Sequence, residues 1–263
     1  MFEPFSSRKI NIFKNVGLLP YLHYNNKDLH VYELVKKVLS GRIRSAWINR
    51  NNRKFIARKR LVKDISINTL LKWIKTYFPE IPIILILRHP IAVASSRTRS
   101  KGFNNNVDNT IKAFLNQKDI VTDFLDGKME IIKKLKDNFL KFIFIWCIEN
   151  IIPLSLFKNG EVHLAFYENF CKDPQAEIKR MFDFLGKKIN KDALNVAARP
   201  SIMARDDSAI VNDKDLVSDW KNRVTEDQIK SAMKILKLFK LDKIYSEDTM
   251  PNIVEAYKFL NNN

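Results

Sequence analysis

The segment Ile84–Ser100, which reads ILILRHPIAVASSRTRS, joins an apolar run to a cluster of anion-binding groups. Arg88 ends the run, and Pro90 suits the first turn of a helix, whose N-terminus carries free N–H groups and a partial positive charge. Ser95 and Ser96 lie about two turns into that helix. A hydrogen bond from arginine to phosphate is worth about 1.5–3 kcal/mol. The pattern predicts an oxyanion site, unless Arg88 pairs with a carboxylate and the serines only pack.

The strands that would position these groups are predicted from apolar runs. Three segments read as strands: NRKFIARKRLVKDIS, which ends near Lys63 and Asp64, then IPIILILR, and EVHLAFYENF. The unbroken apolar run between Pro82 and Arg88 predicts a strand buried on both faces. Strands that alternate with helices predict a mostly parallel sheet. Ligands bind beyond the carboxyl ends of such strands, where Arg88 lies.

Apolar spacing and capping residues predict the helices of what we expect to be one domain over residues 1–263. Five helices are predicted by apolar spacing, and the first two cover VYELVKKVL and NTLLKWIKTYF. Two long helices follow: the apolar stripe of the first is Ile111, Phe114, Leu115, Val121 and Leu125, and that of the second is Leu135, Phe139, Phe142, Ile143 and Trp146. The fifth helix has the stripe Ile229, Ala232, Met233, Leu236 and Phe239. Boundary signals are Asp173 with Pro174 at a start, Gly186 at an end, a capping box of Thr225 and Gln228, and Pro251 at the start of a last short helix. Residues 187–224 are predicted as a polar loop.

The composition favours a globular protein with anionic partners. Hydrophobic residues make up 46% of the 263 residues, which suffices for a core. The formal net charge of +17 favours a nucleotide, a nucleic acid, a membrane surface or an acidic glycan, or else reflects solvated lysine. The basic residues are spread along the chain without a nucleic-acid-binding motif, so we expect no nucleic-acid partner.

Several other classes of protein lack their signatures here. Cys147 and Cys171 make no disulfide framework, and the scattered histidines predict no metal site. Neither GxSxG nor GxxxxGK[ST] occurs, which disfavours a hydrolase with a nucleophile elbow and a P-loop kinase. The first residues do not read as a signal peptide, and Lys141, Glu149 and Pro153 interrupt the most apolar run. We therefore expect a cytoplasmic protein without a membrane span.

Five segments, in order along the chain, resemble the sulfotransferase family that uses 3′-phosphoadenylyl sulfate as donor, in particular its bacterial and carbohydrate types. LRHPIAVASSR resembles the 3′-phosphate-binding segment, with Arg88 and Ser96 in the matching positions. The other segments are LAFYENFCKDPQAEIKRMFDFLGK, SDWKNRVTEDQIKSAMKILKLFKLDKIYSED, VKDIS and FEPF. The resemblance implies an α/β fold of the P-loop NTPase-like type, with three layers and a mostly parallel central sheet.

The resemblance also implies which residues bind the nucleotide. Arg88 and Ser96 would hold the 3′-phosphate. Tyr167 would bound the adenine pocket, unless it only packs at a strand end. Trp220 would lie near the nucleotide, unless it anchors the core.

Two further residues would serve the reaction centre. Lys63 matches a lysine that faces the transferred sulfuryl group, while Ile65 stands where several relatives carry a histidine base. Glu3 matches a glutamate that deprotonates the acceptor hydroxyl, unless it belongs to a frayed terminus. The chemistry needs a base within hydrogen-bond reach of that hydroxyl and cations around the developing charge.

The family's most diagnostic element is absent from the sequence. A loop of the type Pro-(Lys/Arg)-Ser-Gly-Thr-(Thr/Ser) holds the 5′-phosphosulfate in relatives, and none of the six glycines lies in such a pattern. We therefore expect the first strand and this loop to be missing. Either Met1 is an internal methionine of a longer natural protein, or the chain is a truncated gene product. The chain as given should then have weak or no transferase activity.

The function that follows is transfer of a sulfuryl group from 3′-phosphoadenylyl sulfate to a hydroxyl, for which a glycan is one candidate acceptor. No metal is needed. The alternative is a non-catalytic protein that binds a nucleotide or another polyanion through the same 3′-phosphate site.

Overall fold

The computed structural model describes residues 3–5, 19–49, 60–189 and 215–261. The chain divides into two compact units: unit 1 is Met1–Ile81 with Asn109–Asp126, and unit 2 is Pro82–Asp108 with Gly127–Asn263. That the whole chain behaves as one domain stays a prediction.

Helices dominate the described residues, and two short strands lie among them. In chain order the elements are α1 Leu29–Leu39, α2 Ala46–Asn49, α3 Leu71–Tyr77, β1 Ile83–Leu87, α4 Pro90–Thr98, α5 Lys101–Asn104, α6 Val107–Leu115, α7 Lys118–Phe124, α8 Met129–Lys133, α9 Asn138–Leu156, β2 Val162–Phe166, α10 Tyr167–Lys172, α11 Pro174–Phe184, α12 Glu226–Leu238 and α13 Ile253–Asn261. Short 3-10 helices cover Asn68–Leu70, Asp219–Arg223 and Leu241–Lys243.

Unit 1 contains α1 and α3, which confirm the helices predicted from VYELVKKVL and NTLLKWIKTYF. The side chain of Asp28 caps α1 by accepting the N–H of Val31 at 3.0 Å. Val31, Val35 and Val38 recur at helical spacing and are fully buried. The indole N–H of Trp73 on α3 donates to the Asn26 carbonyl at 2.7 Å, so a side chain ties α3 to the segment that precedes α1.

The sheet of unit 2 confirms two of the predicted strands and their parallel direction. β1 pairs with β2 in register, with Ile83 opposite Val162 and Leu87 opposite Phe166. Because both strands run the same way, the residues that follow them emerge at one edge of the sheet. That edge carries Arg88 and Tyr167.

Helix α9 forms the core of unit 2. It is apolar all round, begins at the N-cap Asp137, and packs against α4, α12 and α13. By length and composition alone it could cross a membrane, but most of its side chains are buried in the protein. Burial on all sides is typical of a core helix.

One prediction about the strands is wrong, and another falls mostly outside the described residues. β1 is not buried on both faces: Ile86 is 58% exposed and Ile84 is half-buried, because the described residues leave that face of the sheet uncovered. Of the strand predicted to end near Lys63, residues 52–59 lie outside the described ranges, and residues 60–64 carry a single bridge at Lys63. Here Asp64 turns the chain, since its carboxylate accepts the N–H of Ser66 at 2.8 Å.

Three predicted helix boundaries also differ. The first predicted long helix is divided into two helices, α6 and α7, because the backbone of Gln117 between them is extended. The Gln117 side chain accepts the N–H of Tyr21 at 2.8 Å. The second starts at Asn138, so Leu135 precedes it. The last starts at Ile253, two residues after Pro251. Of the predicted loop 187–224, residues 190–214 lie outside the described ranges.

The predicted caps are confirmed, and one of them yields a stability prediction. Thr225 Oγ1 accepts the N–H of Gln228 at 3.2 Å, and Gln228 Oε1 accepts the N–H of Thr225 at 3.1 Å. Thr225→Ala should therefore lower the free energy of unfolding by about 1 kcal/mol. Thr225→Ser keeps the hydroxyl and should unfold like the parent in urea. Identical midpoints for Thr225→Ala and the parent would contradict the prediction.

Candidate nucleotide site

Arg88 and Tyr167 form the centre of the candidate site in unit 2. They follow β1 and β2 directly, and the guanidinium carbon of Arg88 lies 4.1 Å from the centroid of the Tyr167 ring. A guanidinium over an aromatic face keeps its N–H donors in its own plane, where they remain available to a ligand. Both side chains are half-buried. The arrangement presents a fixed cation at the carboxyl edge of the sheet.

Among the described residues Arg88 forms no salt bridge with a carboxylate, although burial, which raises the pKa of the nearby Glu168 carboxyl, is partly opposed by the charge of Arg88. Within those ranges the ion pairs formed by arginines include Arg97 with Glu149 at 3.0 Å and Arg180 with Glu177, but none involves Arg88. The partner that the structure gives to the Arg88 guanidinium in these ranges is the Tyr167 ring. Such a guanidinium has the donors to bind a phosphate in two hydrogen bonds.

The peptide unit between Arg88 and His89 is held at both of its polar ends. Its carbonyl, from Arg88, accepts the indole N–H of Trp146 at 3.1 Å. Its N–H, from His89, donates to Glu168 Oε1 at 2.8 Å. The other carboxylate oxygen of Glu168 accepts the hydroxyl of Tyr245 at 3.0 Å. Glu168 is 1% exposed, and burial raises the pKa of its carboxyl above the usual range.

His89 is fully buried beside Arg88. Its Nε2 lies 3.2 Å from the Ser246 carbonyl and 3.1 Å from the Asp248 carbonyl, so Nε2 carries the proton and donates it. Its Nδ1 has no partner in the described part of the chain. Burial lowers the pKa of His89 to about 4, so the ring is neutral at pH 7.

Trp220 packs flat against His89, with ring centroids 4.4 Å apart. It is 4% exposed, and its indole nitrogen is buried. The structure thus brings Trp220 against the neighbour of Arg88 and also makes it a core residue. Lys221 lies over its ring at 5.5 Å.

Ser96 lies on α4, the helix that starts directly after His89. Its side chain is half-buried, whereas Ser95 is buried. Pro90 occupies the first position of α4 as predicted, and the side chain of the N-cap residue His89 does not cap the first turn. An uncapped helix N-terminus beside Arg88 favours an anion there.

Tyr167 is linked to Cys171, one turn further along α10. The thiol and the phenol are hydrogen-bonded, and burial raises the pKa of both groups. The positive charge of Arg88 opposes that rise for Tyr167. The tyrosine is therefore a neutral phenol that supports the guanidinium.

Glu3 and Lys63, the two residues expected at the reaction centre, contact each other in unit 1. Lys63 Nζ lies 2.9 Å from Glu3 Oε1, and the Glu3 N–H donates to the Lys63 carbonyl at 2.6 Å. Asp64 accepts the N–H of Phe5 at 2.8 Å and so anchors the same segment. Burial raises the pKa of Asp64 above its usual range. Ile65 is exposed.

Three residues of the site were not singled out by the sequence: His89, Glu168 and Tyr245. Glu168 could have been found from the Tyr-Glu pair that follows β2, because a charged residue directly after a buried strand needs a partner. Tyr245 lies 77 residues from Glu168, and no local pattern links them. Within the described ranges, no three metal-ligating side chains lie together.

Comparisons with known proteins place the chain in a family. Among curated proteins, no match was found. Among solved structures, the chain is similar to the "Sulfotransferase Domain from the Curacin Biosynthetic Pathway", with a TM-score of 0.46 and 16% identity, over 88% of this chain and 77% of that one. The family model described as "Sulfotransferase domain" matches residues 18–248, most of the chain. The protein belongs to the sulfotransferase family and has its α/β fold with a parallel sheet.

Proposed function

We propose that this sulfotransferase moves a sulfuryl group from 3′-phosphoadenylyl sulfate to a hydroxyl acceptor, with glycans as the first acceptors to test. Arg88 and Ser96 bind the 3′-phosphate. Tyr167 and Trp220 bound the nucleotide. Membership of the family supports the donor and the reaction class.

The observation that carries the donor assignment is the stack of Arg88 on Tyr167, 4.1 Å away, at the edge where both strands end. The uncapped start of α4 adds a second group that favours a negative charge. The formal net charge of +17 further favours a polyanionic donor over a neutral one.

In the proposed reaction, the acceptor hydroxyl oxygen attacks the sulfur of the donor. A new S–O bond to the acceptor forms as the S–O bond to the 5′-phosphate breaks, and the bonding pair leaves with the phosphate. Glu3 takes the hydroxyl proton, and Lys63 stabilises the charge on the transferred group. The 2.9 Å pair between these two residues supports a shared role.

A non-catalytic nucleotide binder is the second candidate. It is favoured by one observation: the contact of Arg88 with the Tyr167 ring offers a site for a phosphate that does not depend on Glu3 or Lys63. Such a protein would keep Arg88 and Ser96 but would not turn over.

Calorimetry with two nucleotides tests the shared part of both candidates. Adenosine 3′,5′-bisphosphate should bind at least about tenfold more tightly than adenosine 5′-monophosphate, because the second ligand lacks the group that Arg88 binds. Equal affinities would overturn the proposed site.

A transfer assay then separates enzyme from binder. Radiolabelled donor is incubated with a panel of hydroxyl acceptors that includes glycans. Turnover above background, lost in Glu3→Gln with donor binding intact, supports the enzyme. This 263-residue chain is expected to have weak or no turnover, so tight donor binding without turnover supports the binder only if turnover stays absent after a phosphosulfate loop is added to it.

A further inference from the structure

We propose that Glu168 and Trp146 are positioning residues that aim Arg88 at the 3′-phosphate by clamping the Arg88–His89 peptide unit. The inference rests on the proposed function, because it needs a 3′-phosphate at Arg88.

The geometry of the clamp starts from one peptide plane. Trp146 donates to the carbonyl of this plane at 3.1 Å, and Glu168 accepts from its N–H at 2.8 Å. A peptide unit is planar, so two hydrogen bonds at opposite ends fix its orientation. That orientation sets the direction in which the Arg88 side chain leaves the backbone. A clamped plane lets the guanidinium rest on Tyr167 instead of swinging into solvent.

The clamp is itself held in place because its two members, on separate elements of unit 2, are connected by Tyr245. Trp146 lies on the core helix α9, and Glu168 lies in the first turn of α10, directly after β2. Tyr245 joins the two: its hydroxyl donates to Glu168 at 3.0 Å, and its ring lies edge-on to Trp146 at 5.8 Å. Glu168, Trp146 and Tyr245 are all buried.

The chemistry of the buried carboxylate argues for a specific task. A buried carboxylate is costly unless its oxygens are hydrogen-bonded. One oxygen of Glu168 accepts a backbone N–H next to Arg88, and a shorter or apolar side chain at this position could not reach both this N–H and the Tyr245 hydroxyl. The same residue follows Tyr167, so one carboxylate links the stacked tyrosine to the arginine that it supports.

The experiment measures, by calorimetry well below the melting temperature, the affinity of each variant for adenosine 3′,5′-bisphosphate and for adenosine 5′-monophosphate. The ratio of the two affinities is the preference for the bisphosphate. Glu168→Asp is too short to hold both partners and should lower the preference about tenfold. Trp146→Phe, which removes the indole N–H but keeps an aromatic ring, should also lower the preference for the bisphosphate. Glu168→Gln can accept from His89 and donate to Tyr245, so it should restore the preference.

A double variant separates positioning from general destabilisation. If Glu168 acts through Arg88, adding Glu168→Asp to Arg88→Ala should cause no further loss of the preference. Additive losses would overturn the inference, as would an unchanged preference in both Glu168→Asp and Trp146→Phe. If the parent protein shows no preference at all, the proposed function fails before the clamp is tested.

Discussion

Arg88→Ala should weaken the binding of adenosine 3′,5′-bisphosphate by roughly 10- to 150-fold, which corresponds to the loss of a charge-assisted hydrogen bond worth about 1.5–3 kcal/mol. The affinity for adenosine 5′-monophosphate should stay nearly unchanged, because that nucleotide lacks the phosphate that Arg88 binds. Isothermal titration calorimetry of both ligands measures the two affinities in the same buffer.

Two variants control for charge and for shape. Lys234→Ala removes one positive charge from an exposed position on α12, and binding should change little if Arg88 acts locally. Arg88→Lys keeps the charge but loses the planar fork, so its affinity should fall between those of the parent and Arg88→Ala.

The fold of Arg88→Ala must be checked in the same experiment. Loss of the stack on Tyr167 removes a cation–π contact worth about 0.5–1 kcal/mol, so the melting temperature should drop only slightly. Bisphosphate binding that survives in a folded Arg88→Ala protein would rule out Arg88 as the 3′-phosphate residue.

The parts of the site that could be predicted from the sequence are those that depend on patterns within short segments. A strand that ends in Arg88 and a helix that starts at Pro90 are both local signals, and both are confirmed. The parallel pairing of β1 with β2 followed from the alternation of strands and helices. These signals suffice to place Arg88 and Tyr167 at one edge.

The parts that could not be predicted depend on contacts between distant residues. Trp146 was expected only as one member of an apolar stripe, yet its N–H reaches the Arg88 carbonyl across 58 positions. Glu3 and Lys63 were assigned separate roles, and their contact spans 60 positions. The exposure of Ile86 depends on which other elements cover that face of the sheet, and an apolar run in the sequence does not show which elements those are.

Burial and neighbouring positive charges keep His89 neutral, although the two carbonyls that accept from its Nε2 raise the pKa of the ring. Its Nε2–H donates to two carbonyls, so a second proton would have to go to Nδ1, which is buried and has no acceptor in the described residues. The charges of Lys221 and Arg88 add to the cost of a second positive charge. Together with burial, the largest cause, they lower the pKa of His89 to about 4.

The lowered pKa predicts that acid destabilises the fold through His89. In the unfolded chain the ring titrates near 6.5, whereas in the folded protein it titrates near 4. Between these values the unfolded state binds more protons, so stability falls as pH falls through this window. The full loss is about 3 kcal/mol, since each pH unit contributes about 1.4 kcal/mol.

His89→Gln isolates this contribution, because its amide N–H can donate to the same carbonyls but does not titrate. Urea unfolding at several pH values from 7 to 4 should show a steeper loss of stability for the parent than for His89→Gln. Glu168, whose raised pKa acts with the opposite sign, is present in both proteins, so its effect cancels in the difference. Parallel pH profiles for the two proteins would mean that His89 has the same pKa in the folded and unfolded states, which would contradict the prediction.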